Sequence, residues 1–226
     1  MWLSEETPTT MTRAPATIAA LRQVLADRFP STEPASVAGD VLPTGWTFLD
    51  ELGGGLPKGA LTELTCTAPS GGFQLLLGLL LREMRAQNQR VALVDAADGF
   101  DPGSWPADWL EHLVWVRAQG LPQAMQVADL LARDANFGLL VLDLSRTSPR
   151  ELNRLPSAQW YRLQRAVEHT GAPLLVATPA SAVPSAGLRL NLERSHALES
   201  MQEPRLALAA GLPATVQRQR RQAAFA

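Results

Sequence analysis

The sequence contains little cysteine and little lysine. Cys66 is the single cysteine and Lys58 the single lysine among 226 residues. One cysteine excludes a disulfide within the chain and, with only three scattered histidines, argues against a structural zinc site, so we expect no metal. No apolar run reaches the length of about eighteen residues that a membrane-spanning helix needs. The net charge of -2 provides no overall attraction to nucleic acid. We therefore expect a cytoplasmic protein that does not engage membranes.

Composition and periodicity divide the chain into four segments. Residues 1–13 are polar and rich in threonine, which predicts disorder. Residues 14–40 contain an amphipathic helix, ended by Pro30, and a linker. This helix docks either on its own domain or on a neighbouring subunit, where it would support self-association, and both alternatives stay open. Residues 41–210 have the pattern of a folded domain, and residues 211–226 are predicted to be a basic, flexible tail.

From residue 41 onward, apolar strand-like runs alternate with amphipathic helices. The predicted strands lie at 62–65, 91–95, 112–118, 138–144 and 173–178, and the predicted helices lie at 73–87, 122–134 and 157–170. Strands that are apolar throughout are typical of a parallel sheet covered on both faces. The runs LRLNLE and RLALAA predict a closing antiparallel pair. We predict an α/β fold with a mostly parallel central sheet flanked by helices, C-terminal antiparallel strands and an N-terminal helix.

The stretch CTAPSGGF, from Cys66 to Phe73, lies between a strand and a helix, where a phosphate-binding loop belongs. In the pattern GxxxxGK[ST], backbone N–H groups wrap the phosphates, the lysine reaches the terminal phosphates and the hydroxyl binds Mg²⁺. Here Cys66 replaces the first glycine, Gly72 replaces the lysine and Phe73 replaces the hydroxyl residue, while Ser70 and Gly71 keep the form of the turn. Each lost charge-assisted contact removes about 1.5–3 kcal/mol. We expect no ATP and no other cofactor, and we favour a packed turn with Phe73 in the core.

Two acids end apolar runs further along the chain. Asp143 ends the run LLVLD, in the position of an acid that helps to hold Mg²⁺ in nucleotide sites. In the alternative interpretation, which stays open, the Asp143 carboxylate accepts hydrogen bonds from the backbone of its own loop. Asp95 ends the run VALVD and is followed by Ala96 and Ala97.

Several segments, taken in order, resemble the RecA core. The matching segments are TG at 44–45, LD at 49–50, GGGLP at 53–57, Glu63 within a strand, and VDAADGFDP at 94–102. The RecA glutamate that activates the attacking water aligns with Ala97 in this chain. The resemblance covers about residues 42–210 and implies a RecA-like domain that lacks the phosphate lysine, the metal hydroxyl and the base. Because a missing general base costs about 10²–10⁴-fold in rate, we expect no catalytic residues and no enzyme.

A narrower resemblance is to the ImuA-type, or SulA-like, accessory family. The segments that carry it are PTGW, GGGLP, GALTEL, LVWVR, the helix RLQRAVE at 162–168, and PSAGLRLNL at 184–192. It implies a non-catalytic adaptor in bacterial DNA-damage tolerance, the SOS response and translesion synthesis. The implied partners are RecA and an ImuB-type homologue of Y-family polymerases, and the protein would associate with the nucleoid when engaged. DNA is a further candidate partner, although the loops that bind DNA in RecA are short here. A SulA-type inhibitor of cell division that binds FtsZ is the second hypothesis, and a weak ATPase is the third.

Seven arginines form a candidate patch for DNA phosphates or for an acidic partner. They are Arg146, Arg150, Arg154, Arg162, Arg165, Arg189 and Arg194. Arg150 and Arg154 share one helix face if a helix begins near Pro149. The alternative is a solvated surface with partial salt bridges, which contribute little to stability. Binding of DNA through this patch would weaken with added salt.

Overall fold

The computed structural model describes residues 40–66, 72–192 and 202–219. The predicted disordered segment 1–13 and the predicted docking helix lie outside these residues. So do Ser70, Gly71 and Arg194 among the candidate site residues.

Nine strands and seven α-helices are defined within the described ranges. The strands are β1 (Val41–Leu42), β2 (Leu56–Pro57), β3 (Leu61–Cys66), β4 (Val91–Asp95), β5 (Leu113–Arg117), β6 (Leu139–Asp143), β7 (Leu174–Thr178), β8 (Leu188–Leu192) and β9 (Ala214–Gln219). The helices are α1 (Thr47–Gly53), α2 (Gly72–Ala86), α3 (Ala107–Leu110), α4 (Gly120–Ala132), α5 (Pro149–Arg154), α6 (Ser157–Thr170) and α7 (Arg205–Ala210). A 3₁₀-helix spans Pro102–Ser104.

The main sheet has seven strands in the order β5-β4-β6-β7-β3-β8-β9. All neighbouring pairs are parallel except β8 and β9, which are antiparallel. The short strands β1 and β2 form a separate antiparallel pair. The carboxyl ends of the parallel strands therefore meet at one edge of the sheet, where ligand sites of α/β proteins usually lie.

Two layers of helices cover the two faces of the sheet. On one face, α2 and the segment around α7 pack on residues such as Leu64, Leu93 and Val141. On the other face, α4, α5 and α6 pack on residues such as Val94 and Leu142. This double coverage explains why β4, β6 and β7 consist of continuous apolar residues, since both faces of each strand are buried. Within the described part of the chain, every helix is too short or too polar to cross a membrane.

The mostly parallel α/β fold predicted from the alternating pattern is confirmed. The predicted strand at 91–95 and the predicted helix at 157–170 have the same bounds in the structure. The other central strands and helices differ from the predictions only at their ends.

The sequence predicted that LRLNLE and RLALAA form an antiparallel pair of strands, and this prediction was wrong for RLALAA. RLALAA is not a strand but the helix α7, which begins after Pro204 and ends at Gly211. Its leucines and alanines are good helix formers, and the flanking proline and glycine are typical of helix ends. The antiparallel partner of β8 is instead β9, at 214–219, inside the segment predicted to be a flexible tail. The polar composition of β9 misled the prediction because β9 is an edge strand whose side chains are mostly exposed.

Candidate functional site

The carboxyl edge of the sheet brings together the positions of a nucleotide site. Asp95 ends β4 and Asp143 ends β6, and the two residues are direct neighbours in the register of these parallel strands. Cys66 ends β3, two strands away from β6 in the sheet. The topology therefore places the residues singled out in the sequence on one edge.

The start of α2 holds the two residues that replace the lysine and the hydroxyl residue. Gly72 is the first residue of α2 and Phe73 the second, and both are buried. The Phe73 side chain is only 5% exposed and belongs to the hydrophobic core. The prediction that Phe73 packs in the core is confirmed. At the position where a Ser or Thr hydroxyl would bind Mg²⁺, the chain thus places a buried phenyl ring.

The Cys66 thiol at the end of β3 is not poised for nucleophilic chemistry. Burial, reinforced by the negative charge of Asp143, raises its pKa from 9.0 to about 12. The thiol therefore stays protonated at neutral pH, and only the thiolate is a good nucleophile or metal ligand.

Asp95 serves as an acceptor for the loop that follows it. Its fully buried carboxylate accepts hydrogen bonds from the backbone N–H groups of Ala97 (3.1 Å), Gly99 (3.2 Å) and Phe100 (3.2 Å). It also accepts a hydrogen bond from the indole Nε1 of Trp115 at 3.3 Å. Both carboxylate oxygens are used, so Asp95 fixes the path of the chain after β4.

The position of the catalytic glutamate holds Ala97, a buried residue without a titratable group. The neighbouring Asp98 is exposed and forms an ion pair with Arg117 at 2.7 Å. Asp98 is thereby engaged at the surface of the edge strand β5, and the structure places no carboxylate at position 97.

Asp143 bonds to its own loop. Its Oδ1 accepts hydrogen bonds from the backbone N–H of Ser145 (2.9 Å) and from the Ser145 hydroxyl (2.6 Å). Of the two interpretations left open by the sequence, the loop-bonding one is therefore observed. Burial raises the pKa of the Asp143 carboxyl above its ordinary value of 3.8, although the hydrogen bonds from Ser145 oppose this shift. The negative charge of Asp95 raises it further, and Arg146 lowers it.

Five of the seven candidate arginines lie exposed at or near α5 and α6, and four of these form no ion pair among the described residues. Arg150 and Arg154 share a face of α5, which begins at Pro149 as the sequence predicted. Arg165 lies on the outer face of α6. Arg146 reaches back to the carbonyl oxygen of Ala97 at 3.4 Å, beside the nucleotide-site positions. Among the described residues, Arg150, Arg154 and Arg165 form no ion pair, and they remain available to an external anion.

Two other candidate arginines are already engaged, which corrects the picture of a single free patch. Arg162 pairs with Asp129 of α4 at 3.0 Å. The Arg189 side chain is 16% exposed and forms an ion pair with Glu63, which is fully buried. Its charge is therefore neutralised inside the domain.

Glu63 has a role that sequence reasoning missed. This residue of β3 holds the loop between β7 and β8, at 179–187, which we call the β7–β8 loop. Its Oε1 accepts hydrogen bonds from the Thr178 hydroxyl (3.0 Å) and from the backbone N–H groups of Ala182 (2.6 Å) and Val183 (3.1 Å). Its Oε2 accepts one from Nε of Arg189. A glutamate within a strand predicted to lie inside the sheet was the available signal, since a buried charge requires buried partners.

Comparisons with known proteins agree with this architecture. The chain is 35% identical to Protein RecA of Streptomyces avermitilis over 109 residues, 46% of this chain and 28% of that protein. It is 35% identical to Protein RecA of Clavibacter michiganensis over 121 residues, 51% of this chain and 32% of that protein. The crystal structure of the RadB recombinase matches with a TM-score of 0.59 and 20% sequence identity, covering 82% of this chain and 93% of that one. The domain has a RecA-like fold.

The RecA-like assignment concerns the core of the domain. The chain matches only about a third of the length of the curated RecA proteins, and the likeness to RadB shows the shared fold. No protein-family model matches the chain.

Proposed function

We propose that this RecA-like chain is a non-catalytic adaptor in bacterial DNA-damage tolerance. The observation that carries the proposal is the buried phenyl ring of Phe73 at the position of the metal-binding hydroxyl. Phe73 is part of the core, so the loss of the hydroxyl is built into the packing of α2. The proposed protein retains the RecA-like scaffold for contacts with macromolecules and binds neither ATP nor another cofactor.

Three further features support a role without ATP hydrolysis. Gly72 stands where the phosphate lysine would be, and Ala97 stands where the general base would be. The Asp95 carboxylate is used in four hydrogen bonds to its own domain. On this proposal, Gly72, Phe73 and Ala97 leave the chain without the contact to the terminal phosphates, the hydroxyl ligand of the metal and the group that activates water, which are parts of the phosphoryl-transfer mechanism.

The proposed partners are RecA and an ImuB-type homologue of Y-family polymerases. This part of the proposal rests on the sequence resemblance to the ImuA-type family, in segments such as LVWVR of β5 and PSAGLRLNL at 184–192. The protein would act in the cytoplasm, at the nucleoid, during translesion synthesis. DNA is a further candidate ligand for the exposed arginines Arg150, Arg154 and Arg165, and the helix that the sequence predicts within residues 14–40 is a candidate for self-association.

Pull-down experiments test this function. We expect the full-length tagged chain to retain both RecA and the ImuB-type homologue from the same bacterium, with or without added ATP, because the contacts use the scaffold. An unrelated RecA-like ATPase with the same tag serves as the control. Absence of both partners would contradict the adaptor function. In a parallel assay, loss of sedimenting FtsZ polymers on adding the chain would favour the SulA-type inhibitor instead.

A further inference from the structure

An open, shallow cavity of about 300 Å³ lies between α5, the start of α6 and the β7–β8 loop. None of the described residues at the nucleotide-site positions contributes to its walls. Its volume is at the lower end of the range of about 300–1,000 Å³ that is typical of small-ligand pockets.

The walls of this cavity combine apolar and polar surfaces. Leu152, Leu155, Trp160 and Pro184 supply the apolar part. Leu152 and Trp160 are almost fully buried, at 2% and 1% exposed, so they support the floor from below, while the half-buried Leu155 and Pro184 present more of its apolar surface. The exposed polar residues Asn153, Ser157 and Ser181 also line the cavity. An apolar side chain fits the floor, while the backbone that carries it would meet polar groups.

Three arginines lie at or beside the wall residues of the cavity, and two of them, Arg150 and Arg154, form no ion pair among the described residues. In the sequence Arg154 lies between Asn153 and Leu155, which both line the cavity, and Arg150 lies three residues before Asn153, a spacing that places the two residues near one another on the helix. Arg189 is itself a wall residue and uses two of its nitrogens to bond Glu63 and the carbonyl of Val183. A guanidinium has five N–H donors, so Arg189 retains donors beyond these bonds. The first turn of α6 at the cavity has no side-chain cap and adds the positive end of the helix dipole.

The β7–β8 loop that closes one side of the cavity is held in place. Glu63 bonds the N–H groups of Ala182 and Val183, and the Ser185 hydroxyl donates a hydrogen bond to the carbonyl of Trp160 at 3.3 Å. A receptor that is ordered before binding loses less conformational entropy on binding. The cavity is thus preorganised for a ligand.

We propose that this cavity binds one apolar side chain of a partner protein segment whose flanking residues are acidic. The apolar floor takes up the anchor side chain, and the carboxylates on either side of the anchor meet Arg150 and Arg154. This gives the adaptor role proposed above a specific docking site and rests on it. The phosphates of a nucleic-acid backbone would pair with the arginines but would not contact the apolar floor. This favours a peptide over a nucleic-acid backbone as the ligand of the cavity.

Binding of short acidic peptides to the full-length protein tests the site. The probes are fluorescein-labelled peptides of the form Glu-Glu-X-Glu-Glu, in which X is leucine, methionine, phenylalanine, tryptophan or alanine, and binding is followed by fluorescence anisotropy. We expect at least one peptide with a large apolar X to bind about tenfold more tightly than the alanine peptide. The matching Lys-Lys-X-Lys-Lys peptides should not bind.

Variants of the protein assign the binding to this cavity. The pair Arg150→Glu and Arg154→Glu should weaken the best peptide about tenfold or more, since both attractions become repulsions. Asn153→Trp should block the cavity without removing a hydrogen bond seen in the described structure. The control is Arg90→Glu, which makes the same charge reversal at one exposed residue before β4, at the opposite edge of the sheet, and it is compared with each of Arg150→Glu and Arg154→Glu made singly.

Each outcome decides for or against the proposal. Failure of all large-X peptides to bind more tightly than the alanine peptide would overturn it. Equal losses in Arg90→Glu and in each of the single variants Arg150→Glu and Arg154→Glu would also overturn it, because the attraction would then be general. A fluorescent single-stranded oligonucleotide provides a further comparison. If it binds while the peptides do not, and if its binding is lost in the Arg150/Arg154 variant but unaffected by Asn153→Trp, the surface is assigned to nucleic acid instead. If the pull-down retains RecA and the ImuB-type homologue although the peptides fail to bind, the adaptor function is supported and only the proposed docking site is rejected.

Discussion

Replacing Glu63 with alanine is expected to destabilise the domain by about 3–5 kcal/mol, the usual cost of removing one partner of a buried ion pair. The substitution leaves the Arg189 guanidinium, which is only 16% exposed, without its counter-charge. It also leaves the N–H groups of Ala182 and Val183 without their acceptor. Urea unfolding followed by circular dichroism measures the change in the free energy of unfolding.

A matched control shows whether the destabilisation is specific to the buried ion pair of Glu63 or follows from the loss of an ion pair anywhere in the domain. Glu111→Ala removes the partner of Arg85, but the Glu111 side chain is 60% exposed, so we expect a loss of about 1 kcal/mol or less. In hydrogen exchange, Glu63→Ala should also lose protection in the β7–β8 loop, while β4 keeps its protection. Equal destabilisation by Glu63→Ala and Glu111→Ala would contradict the role assigned to Glu63.

This prediction matters for function because the β7–β8 loop occupies the place of a DNA-binding loop in the RecA resemblance. The loop here is short, and a buried carboxylate holds it against the sheet. Such a loop suits a fixed docking surface better than a segment that orders itself on DNA.

Replacing Asp95 with alanine is expected to cost about 2–4 kcal/mol, since orphaned buried donors cost about 1–3 kcal/mol each and part of the loop can relax. Three backbone N–H groups and the indole of Trp115 lose their acceptor at once. Asp95→Asn should also be destabilising, because an amide can replace only one of the two acceptor oxygens. Urea unfolding measures both variants.

The control for Asp95 is its near neighbour Asp98. Asp98→Ala removes an exposed ion pair with Arg117, so its effect on stability should be within about 1 kcal/mol. If Asp95→Ala were as stable as the wild type, the Asp95 carboxylate would not be a structural hydrogen-bond acceptor. A role for it in nucleotide chemistry would then have to be considered.

The central α/β architecture could be predicted from the sequence because its signals are local. Continuous apolar runs marked β4, β6 and β7, and amphipathic periodicity marked α6 with its observed bounds. The sequence also placed Phe73 in the core, and the structure confirms this.

The features that escaped prediction depend on contacts between distant parts of the chain. Glu63 and Arg189 are 126 residues apart in sequence, and nothing local indicates that they pair. The same pairing removes Arg189 from the patch of free arginines. The strand β9 was missed because its exposed, polar sequence becomes a strand only beside β8.

Isothermal titration of the full-length chain with ATP and Mg²⁺ tests most directly whether the nucleotide chemistry has been lost. A RecA protein in the same buffer is the positive control, and phosphate release is followed in parallel. We expect no saturable heat at millimolar nucleotide and no phosphate release above the blank, because a buried phenyl ring and a glycine replace the metal and phosphate ligands. Saturable binding that disappears in Asp143→Ala would contradict this and would establish a working nucleotide site.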